Sequence, residues 1–260
     1  MTGLVSSEAS ARKLAGKPYA VIAADASRPD PIRNFAGRLG RTDVLVHCLS
    51  RSGGRDPDAY RVTYLQTLLN LAEILAPDFS IFTSSTSVYP QDDGSWVTEE
   101  SPTGGTTASL VLLEAEKVAL ASGGGVVRLG GIYGPSRSRF IEAALAGTPP
   151  SHGAPHSHIN AIHRDDAAAA LCHLAKHRLA GIYNAVDDSP APRLDLAAAI
   201  RAFSDAHPPG SARWPQRAAR PSCGKRVSNA KLRAAGWTPR YPSIVAALRD
   251  DAELRASLRF

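Results

Sequence analysis

Histidine is where this 260-residue sequence first invites chemistry. His152, His156, His158 and His163 fall in one short stretch, and His156-Ser-His158 sets two imidazoles one residue apart. A tetrahedral zinc site needs tight paired spacing completed by a thiolate or carboxylate. Here Gly153 and Pro155 make the stretch a loop, and Cys48, Cys172 and Cys223 are far apart without ligand spacing. No metal is therefore expected. A G-x-S-x-G elbow is absent, so the usual serine-hydrolase arrangement is not available. What remains is a hydroxyl-rich run, Ser84-Ser85-Thr86, a glycine turn at Gly130, Gly131 and Gly134 around Tyr133, and Asp25 closing an apolar run. Hydroxyls at a strand end either meet a ligand or satisfy nearby backbone groups. Asp25 likewise either faces a ligand or caps a turn. Glycines in such a turn permit close backbone approach or positive φ.

Those residues are positioned by alternating elements. Tyr19 to Ala24, Val44 to Leu49, Phe79 to Ser84 and Val126 to Leu129 are short apolar runs of buried-strand type. Asp58 to Leu75 reads as one long amphipathic helix, with Tyr60, Tyr64, Leu68, Leu71 and Leu75 at spacings of three and four. Leu110 to Leu120 is helical as well. Strands alternating with helices imply parallel strands joined by crossovers, hence a doubly wound α/β sheet. After Pro135 the texture changes. A strand is expected at Ile159 to Ile162, a helix at Asp165 to Lys176, a strand at Gly181 to Val186, a helix at Leu194 to Phe203, and a terminal helix at Pro242 to Leu258. The organisation expected is a nucleotide-binding core over 1–135 and an interleaved part over 136–260, carrying the last core strands and a small cap.

One piece of that architecture is missing from the pattern. A dinucleotide site opens with a strand, a glycine-rich turn and a helix whose N-terminus holds the pyrophosphate. Here Thr2-Gly-Leu-Val5 reads as the second strand, with no glycine-rich loop ahead of it. An upstream strand–turn–helix unit of roughly 25–30 residues is expected to belong to the fold.

Bulk properties narrow the classes. Hydrophobic residues make up 43% and charged residues 21%, as in ordinary globular domains. No apolar run approaches the ~20 residues of a membrane helix. The N-terminus lacks the basic-then-apolar pattern of a signal peptide, and three unpaired cysteines suit a reducing compartment, so a cytoplasmic protein is expected. The formal charge is +6. The basic residues are scattered and no groove-reading or base-stacking motif accompanies them, so neither nucleic acid nor membrane is expected as a partner.

Four segments in order carry a resemblance: Phe82-Thr-Ser-Ser-Thr-Ser-Val-Tyr89, Arg128-Leu-Gly-Gly-Ile-Tyr-Gly-Pro135, Ile159-Asn-Ala-Ile-His-Arg-Asp-Asp166 and Gly181-Ile-Tyr-Asn184. Together they resemble the extended short-chain dehydrogenase/reductase superfamily, of the NAD(P)-dependent epimerase/dehydratase type. A late segment, Lys225-Arg-Val-Ser-Asn229 through Gly236-Trp-Thr-Pro239, is similar to an atypical branch of it. The resemblance implies a Rossmann-like fold, here without its first strand and glycine-rich loop. It also implies an NAD or NADP cofactor, weakly bound or unbound without that loop, a small polar ligand and a possible homodimer.

Residue by residue, the resemblance gives Ser85 the place of the serine that polarises the substrate oxygen, with Ser84 beside it. Ser6 and Ser7 take the place where NAD and NADP are discriminated. Asp25 stands where an acid faces the adenine, Leu49 and Ser50 at a cleft wall, and Gly130 and Tyr133 near the nicotinamide. Tyr89 matches a packing aromatic, and His163 with Asp165 and Asp166 a structural turn. The family's catalytic Y-x-x-x-K falls on Ala108 and Leu112, which neither exchange a proton nor carry charge. Two functions follow as expectations: an oxidoreductase or epimerase relative without that pair, or a non-catalytic binding or regulatory protein of the same fold.

Overall fold

The computed structural model describes residues 1–50, 56–148, 154–203 and 223–258. His152 lies outside them. β1 (Thr2–Val5) leads to α1 (Glu8–Lys13), capped by the Ser7 hydroxyl, which accepts from Ser10 N. β2 (Ala20–Ala23) is followed by α2 (Pro29–Leu39), which the apolar pattern does not reveal. Its Pro29 starts the helix, where a backbone N–H would lack an intrahelical partner anyway. β3 (Val44–His47) precedes α3 (Pro57–Tyr60), a π-helical stretch (Arg61–Gln66) and α4 (Thr67–Leu75). The single helix expected over Asp58 to Leu75 is thus continuous but widened in its middle.

β4 (Phe79–Ser85) ends in a 3₁₀ turn (Thr86–Val88), and then come β5 (Asp93–Val97), α5 (Thr107–Ala121), β6 (Gly125–Leu129) and β7 (Gly131–Tyr133). α6 (Arg139–Leu145), β8 (His158–Ile159), β9 (Ala161–His163), α7 (Arg164–His177), β10 (Gly181–Ala185), β11 (Ala191–Pro192) and α8 (Arg193–Phe203) follow. β12 (Gly224–Val227), α9 (Ala230–Ala234), α10 (Ile244–Asp250) and α11 (Ala252–Ser257) complete the order.

Two expected elements are split, each by one polar residue. Asn160 separates β8 from β9; its side chain donates to Lys225 O at 2.9 Å and accepts from Val227 N at 2.7 Å, bracing β12. Asp251 breaks the expected terminal helix between α10 and α11. Its backbone is extended, and its carboxylate accepts from Leu254 N at 3.0 Å, capping the next helix.

Four strands hydrogen-bond in the order β10-β6-β4-β3, and separate two-stranded ladders join β1 to β2, β7 to β9, β12 to β5 and β11 to β8. The β1–β2, β3–β4, β7–β9 and β12–β5 pairs are parallel. β1 pairs only with β2, and no ladder joins β1 to β3 among the described residues.

The chain forms two compact units, passing back and forth between them. The first comprises 1–83, 106–126 and 178–181, and the second 84–105, 127–177 and 182–260. The first is built on Ile32, Phe35 and Leu71, with Leu4, Ile22, Leu45 and Ile74 packed against them. The second centres on Ile141, Leu196, Ile200, Ile244, Leu248 and Leu254. Each such side chain, fully buried, contributes about 1.5–3 kcal/mol. No described helix is long and apolar enough to cross a membrane.

Candidate functional site

In the second unit, the hydroxyl end of β4 turns directly into a buried polar network. Ser85 has extended backbone, and its Oγ accepts from Ser87 N at 3.1 Å, capping the 3₁₀ turn. This is the local backbone satisfaction that short hydroxyl side chains provide at strand ends. It uses one lone pair and leaves the Ser85 O–H to donate. Ser84, one residue earlier, is buried.

The 3₁₀ turn delivers Tyr89 into the interior, where only 1% of it is exposed. Its hydroxyl donates to Asn184 Oδ1 at 2.8 Å and accepts from an Arg128 guanidinium nitrogen at 2.9 Å. The guanidinium also stacks over the Tyr89 ring, 4.9 Å from its centroid. Asn184 N donates to the Glu99 carboxylate at 2.7 Å, and Asn184 Nδ2 donates to Ser228 O at 3.1 Å. Burial pushes the Tyr89 phenol up, opposed by Arg128. It also pushes the Glu99 carboxyl up, against the hold of Asn184 N–H. Tyr89 therefore packs, as its place in the resemblance implies, and its hydroxyl is committed to the network.

Lys225 approaches the same turn from β12. Its Nζ donates to the Tyr89 carbonyl at 2.7 Å. The β12–β5 ladder is irregular at this point: Gly224 pairs Asp93 and Arg226 pairs Trp96, so Gly94 and Ser95 both stand opposite Lys225. Gly94 has φ +82 and its carbonyl accepts from Arg226 Nε at 2.7 Å. Bulges of this kind re-aim side chains beside sites.

The glycine turn is built for packing. A Cβ on Gly130 would lie 2.7 Å from Asn160 O and 3.0 Å from Val186 Cγ1, so only glycine fits. Tyr133 sits in the core of the second unit, edge-on to His163 at 5.3 Å between ring centroids. Its buried hydroxyl has no hydrogen-bond partner, and burial pushes it up, reinforced by the Asp187 charge. His163 Nδ1 accepts from Asp165 N at 3.2 Å, which leaves the proton on Nε2, 3.1 Å from Asp251 Oδ2. That contact has ion-pair distance without hydrogen-bond alignment. Asp166 accepts from Arg240 N and Tyr241 N at 2.7 and 2.9 Å, so the His163–Asp166 turn braces the second unit. Asp187, almost fully buried, is pushed up to about 7 by desolvation and the neighbouring Asp188 and Asp166 charges.

The remaining predicted residues lie in the first unit. Ser6 and Ser7 are exposed after β1, and Ser7 is used as the α1 cap. The Asp25 carboxylate accepts from Ser27 N at 3.0 Å and Ser27 Oγ at 2.7 Å, which holds it below the usual carboxylate range. It caps a turn while remaining exposed. Leu49 is half-buried and Ser50 exposed after β3. On α5, Ala108 is half-buried and Leu112 is 4% exposed, so the lysine position is part of an apolar face. His158 Nδ1 lies 2.7 Å from Cys223 O, and no described group of three or more His, Cys, Asp or Glu side chains is arranged for a metal ion.

No family model matches the sequence, and a search of curated proteins finds no relative. Solved structures do match. A protein assigned as an NAD-dependent epimerase/dehydratase from Methylobacillus flagellatus is 29% identical, with TM-score 0.77, over 98% of this chain and 88% of that one. This is the NAD-dependent epimerase/dehydratase fold. The epimerase/dehydratase likeness extends to UDP-glucose 4-epimerase from Thermus thermophilus, solved with NAD, at 20% identity and TM-score 0.74 over 96% of this chain and 91% of that one. RMD from Pseudomonas aeruginosa, solved with NADPH, matches at 20% identity and TM-score 0.68 over 99% and 98%. Within this Rossmann-like fold, the sequence singled out Ser85 and the glycine turn. It passed over Arg128 and Asn184, which lie inside the quoted segments, and gave no signal for Glu99 or Asp187.

Proposed function

We propose that this chain is an oxidoreductase- or epimerase-like protein that binds a small polar metabolite at the Ser85 end of β4, without a tyrosine–lysine pair. The observation that carries this reading is the contrast between two places. At the end of β4, Ser85 keeps an O–H to donate beside a turn capped by its own Oγ and anchored through the buried Tyr89 hydroxyl. On α5, Ala108 and buried Leu112 supply neither acid nor base. Any proton moved during turnover then comes from the ligand or from water.

An NAD or NADP cofactor is the family-type partner, and some fold neighbours were solved with one. The described residues of the first unit do not fit a pyrophosphate. The Asp25 carboxylate and the Ser7 hydroxyl are used by their own turns, and the first turn of α1 carries the acid Glu8. A non-catalytic binding protein of the same fold is the second reading, favoured by Leu112.

Homodimerisation through the helices is part of the proposal. Val62, Leu69 and Leu110 are large apolar side chains left 46%, 39% and 49% exposed on the π-helical stretch, α4 and α5. Sedimentation of the purified chain checks it: a monomer at tens of micromolar counts against it.

The decisive experiment is turnover and ligand binding in Ser85→Ala. Removing one preorganised donor to a developing charge costs about 10²–10³ in rate. Activity that survives this change intact would misplace the site. Ligand binding without turnover in wild type would favour the second reading.

A further inference from the structure

Lys225 is a half-buried cation to which no described residue offers a counter-charge. It ion-pairs with no carboxylate among the described residues, and its one polar contact is the neutral Tyr89 carbonyl. An ammonium has three donors, so two remain. Withdrawing a charge from water without pairing it is costly, and burial holds this amine below its ordinary value. The other buried cation of the network, Arg128, is engaged by Tyr89. The fold also goes to some length to hold Lys225 where it is. The β5 irregularity sets Gly94 and Ser95 opposite it, and Asn160 holds the carbonyl of Lys225 itself and the N–H of Val227. Gly224, at φ +63, lets β12 pass so close to His158 that a Cβ would lie 3.1 Å from its N.

We propose that Lys225 is the charged contact through which the second unit holds an anionic oxygen of its ligand, a carboxylate or phosphate, beside the turn that follows Ser85. The ligand supplies the missing counter-charge, and the Tyr89 carbonyl orients the ammonium toward it. The proposal rests on the reading that this turn is the ligand site, and it narrows the small polar metabolite to an anionic one.

Competitive labelling tests it on the intact chain. The sequence holds only six lysines: Lys13, Lys17, Lys117, Lys176, Lys225 and Lys231. Trinitrobenzenesulfonate labelling is followed lysine by lysine by mass spectrometry, with inorganic phosphate, with malonate, and with sodium chloride at matched ionic strength to remove screening. Saturating phosphate or malonate should slow labelling of Lys225 by at least about fivefold and leave exposed Lys117 unchanged. Protection by phosphate alone or malonate alone assigns the anion class. If neither protects Lys225 more than chloride does, the proposal is overturned.

A second measurement covers structural loss. Lys225→Gln keeps a donor for the Tyr89 carbonyl, and it should melt near the wild type while losing the anion-induced rise in midpoint. An undiminished rise in Lys225→Gln overturns the proposal. Ser85→Ala separates the two readings: if Lys225 stays protected in that variant while turnover matches the wild type, the anion contact stands and the role given to Ser85 falls.

Discussion

The Tyr89 hydroxyl gives its proton to Asn184 and takes one from Arg128, at 2.8 and 2.9 Å, in a place closed to solvent. The turn after Ser85 is thereby fixed to β10 and β6 through one phenolic oxygen. Tyr89→Phe keeps the ring and removes that oxygen. It leaves Asn184 Oδ1 without its donor and takes away one acceptor of the Arg128 guanidinium. The expected destabilisation is about 1–3 kcal/mol, the cost of stranding buried polar groups. Urea unfolding measures it, and a change below about 0.5 kcal/mol would mean that water replaces the hydroxyl without loss.

Acid stability should depend on His47. Thr67 Oγ1 donates to Thr63 O and so accepts from His47 Nε2 at 2.7 Å; His47 Nδ1 is buried without a partner. Desolvation lowers this imidazole from 6.5 to about 4. The unfolded chain therefore binds the extra proton first. The contribution of neutral His47 is fully present above pH 6.5 and is lost as pH falls toward 4, an effect on the order of 3 kcal/mol. Replacing His47 with Gln should flatten that part of the stability–pH curve, measured by urea unfolding at successive pH values. An unchanged slope contradicts the assignment.

Asp187 should act in the opposite sense. Its folded value near 7 lies above the ordinary 3.8, so the native state holds the proton longer. Its contribution is present below pH 3.8 and is lost as pH rises through 7. Asp187→Asn retains an acceptor for Ser189 N, which now bonds the carboxylate at 3.2 Å. The variant should be more stable than wild type at pH 8, by up to a few kcal/mol, and close to it at pH 4. A loss of stability at pH 8 would show that the ionised carboxylate is needed.

Placing a lysine at position 112 should destabilise the fold. Leu112 is 4% exposed on α5, so Leu112→Lys places an ammonium on an apolar face. A destabilisation of about 3 kcal/mol or more is expected. Thermal melting of Leu112→Lys, alone and with Ala108→Tyr, checks it. A double variant as stable as wild type would mean that the lysine reaches solvent.

Cofactor affinity should be low in this chain. Calorimetric titration with NADH and NADPH is expected to give millimolar dissociation constants or weaker, less than roughly 4 kcal/mol. Micromolar binding would reveal a phosphate site outside the residues named above.

The amino-acid sequence by itself determined the kind of fold. Short apolar runs alternating with amphipathic helices require parallel strands and crossovers, and this depends only on local periodicity. By resemblance it also set the expectation that the tyrosine and lysine positions fall on Ala108 and Leu112, which supply neither acid nor base. What only the tertiary structure decided is which polar side chains are consumed by the fold. Asp25 and Ser7 read equally well as ligand contacts until their own turns are seen to use them. Tyr133, in a glycine turn, proves to be core. Lys225 is one basic residue among thirty in the sequence, and that no described carboxylate pairs with it emerges only when β12 is laid against β5. Glu99 and Asn184 are 85 residues apart and meet through one hydrogen bond. Burial and pairing are long-range properties, set by which strands become neighbours, and no local spacing encodes them.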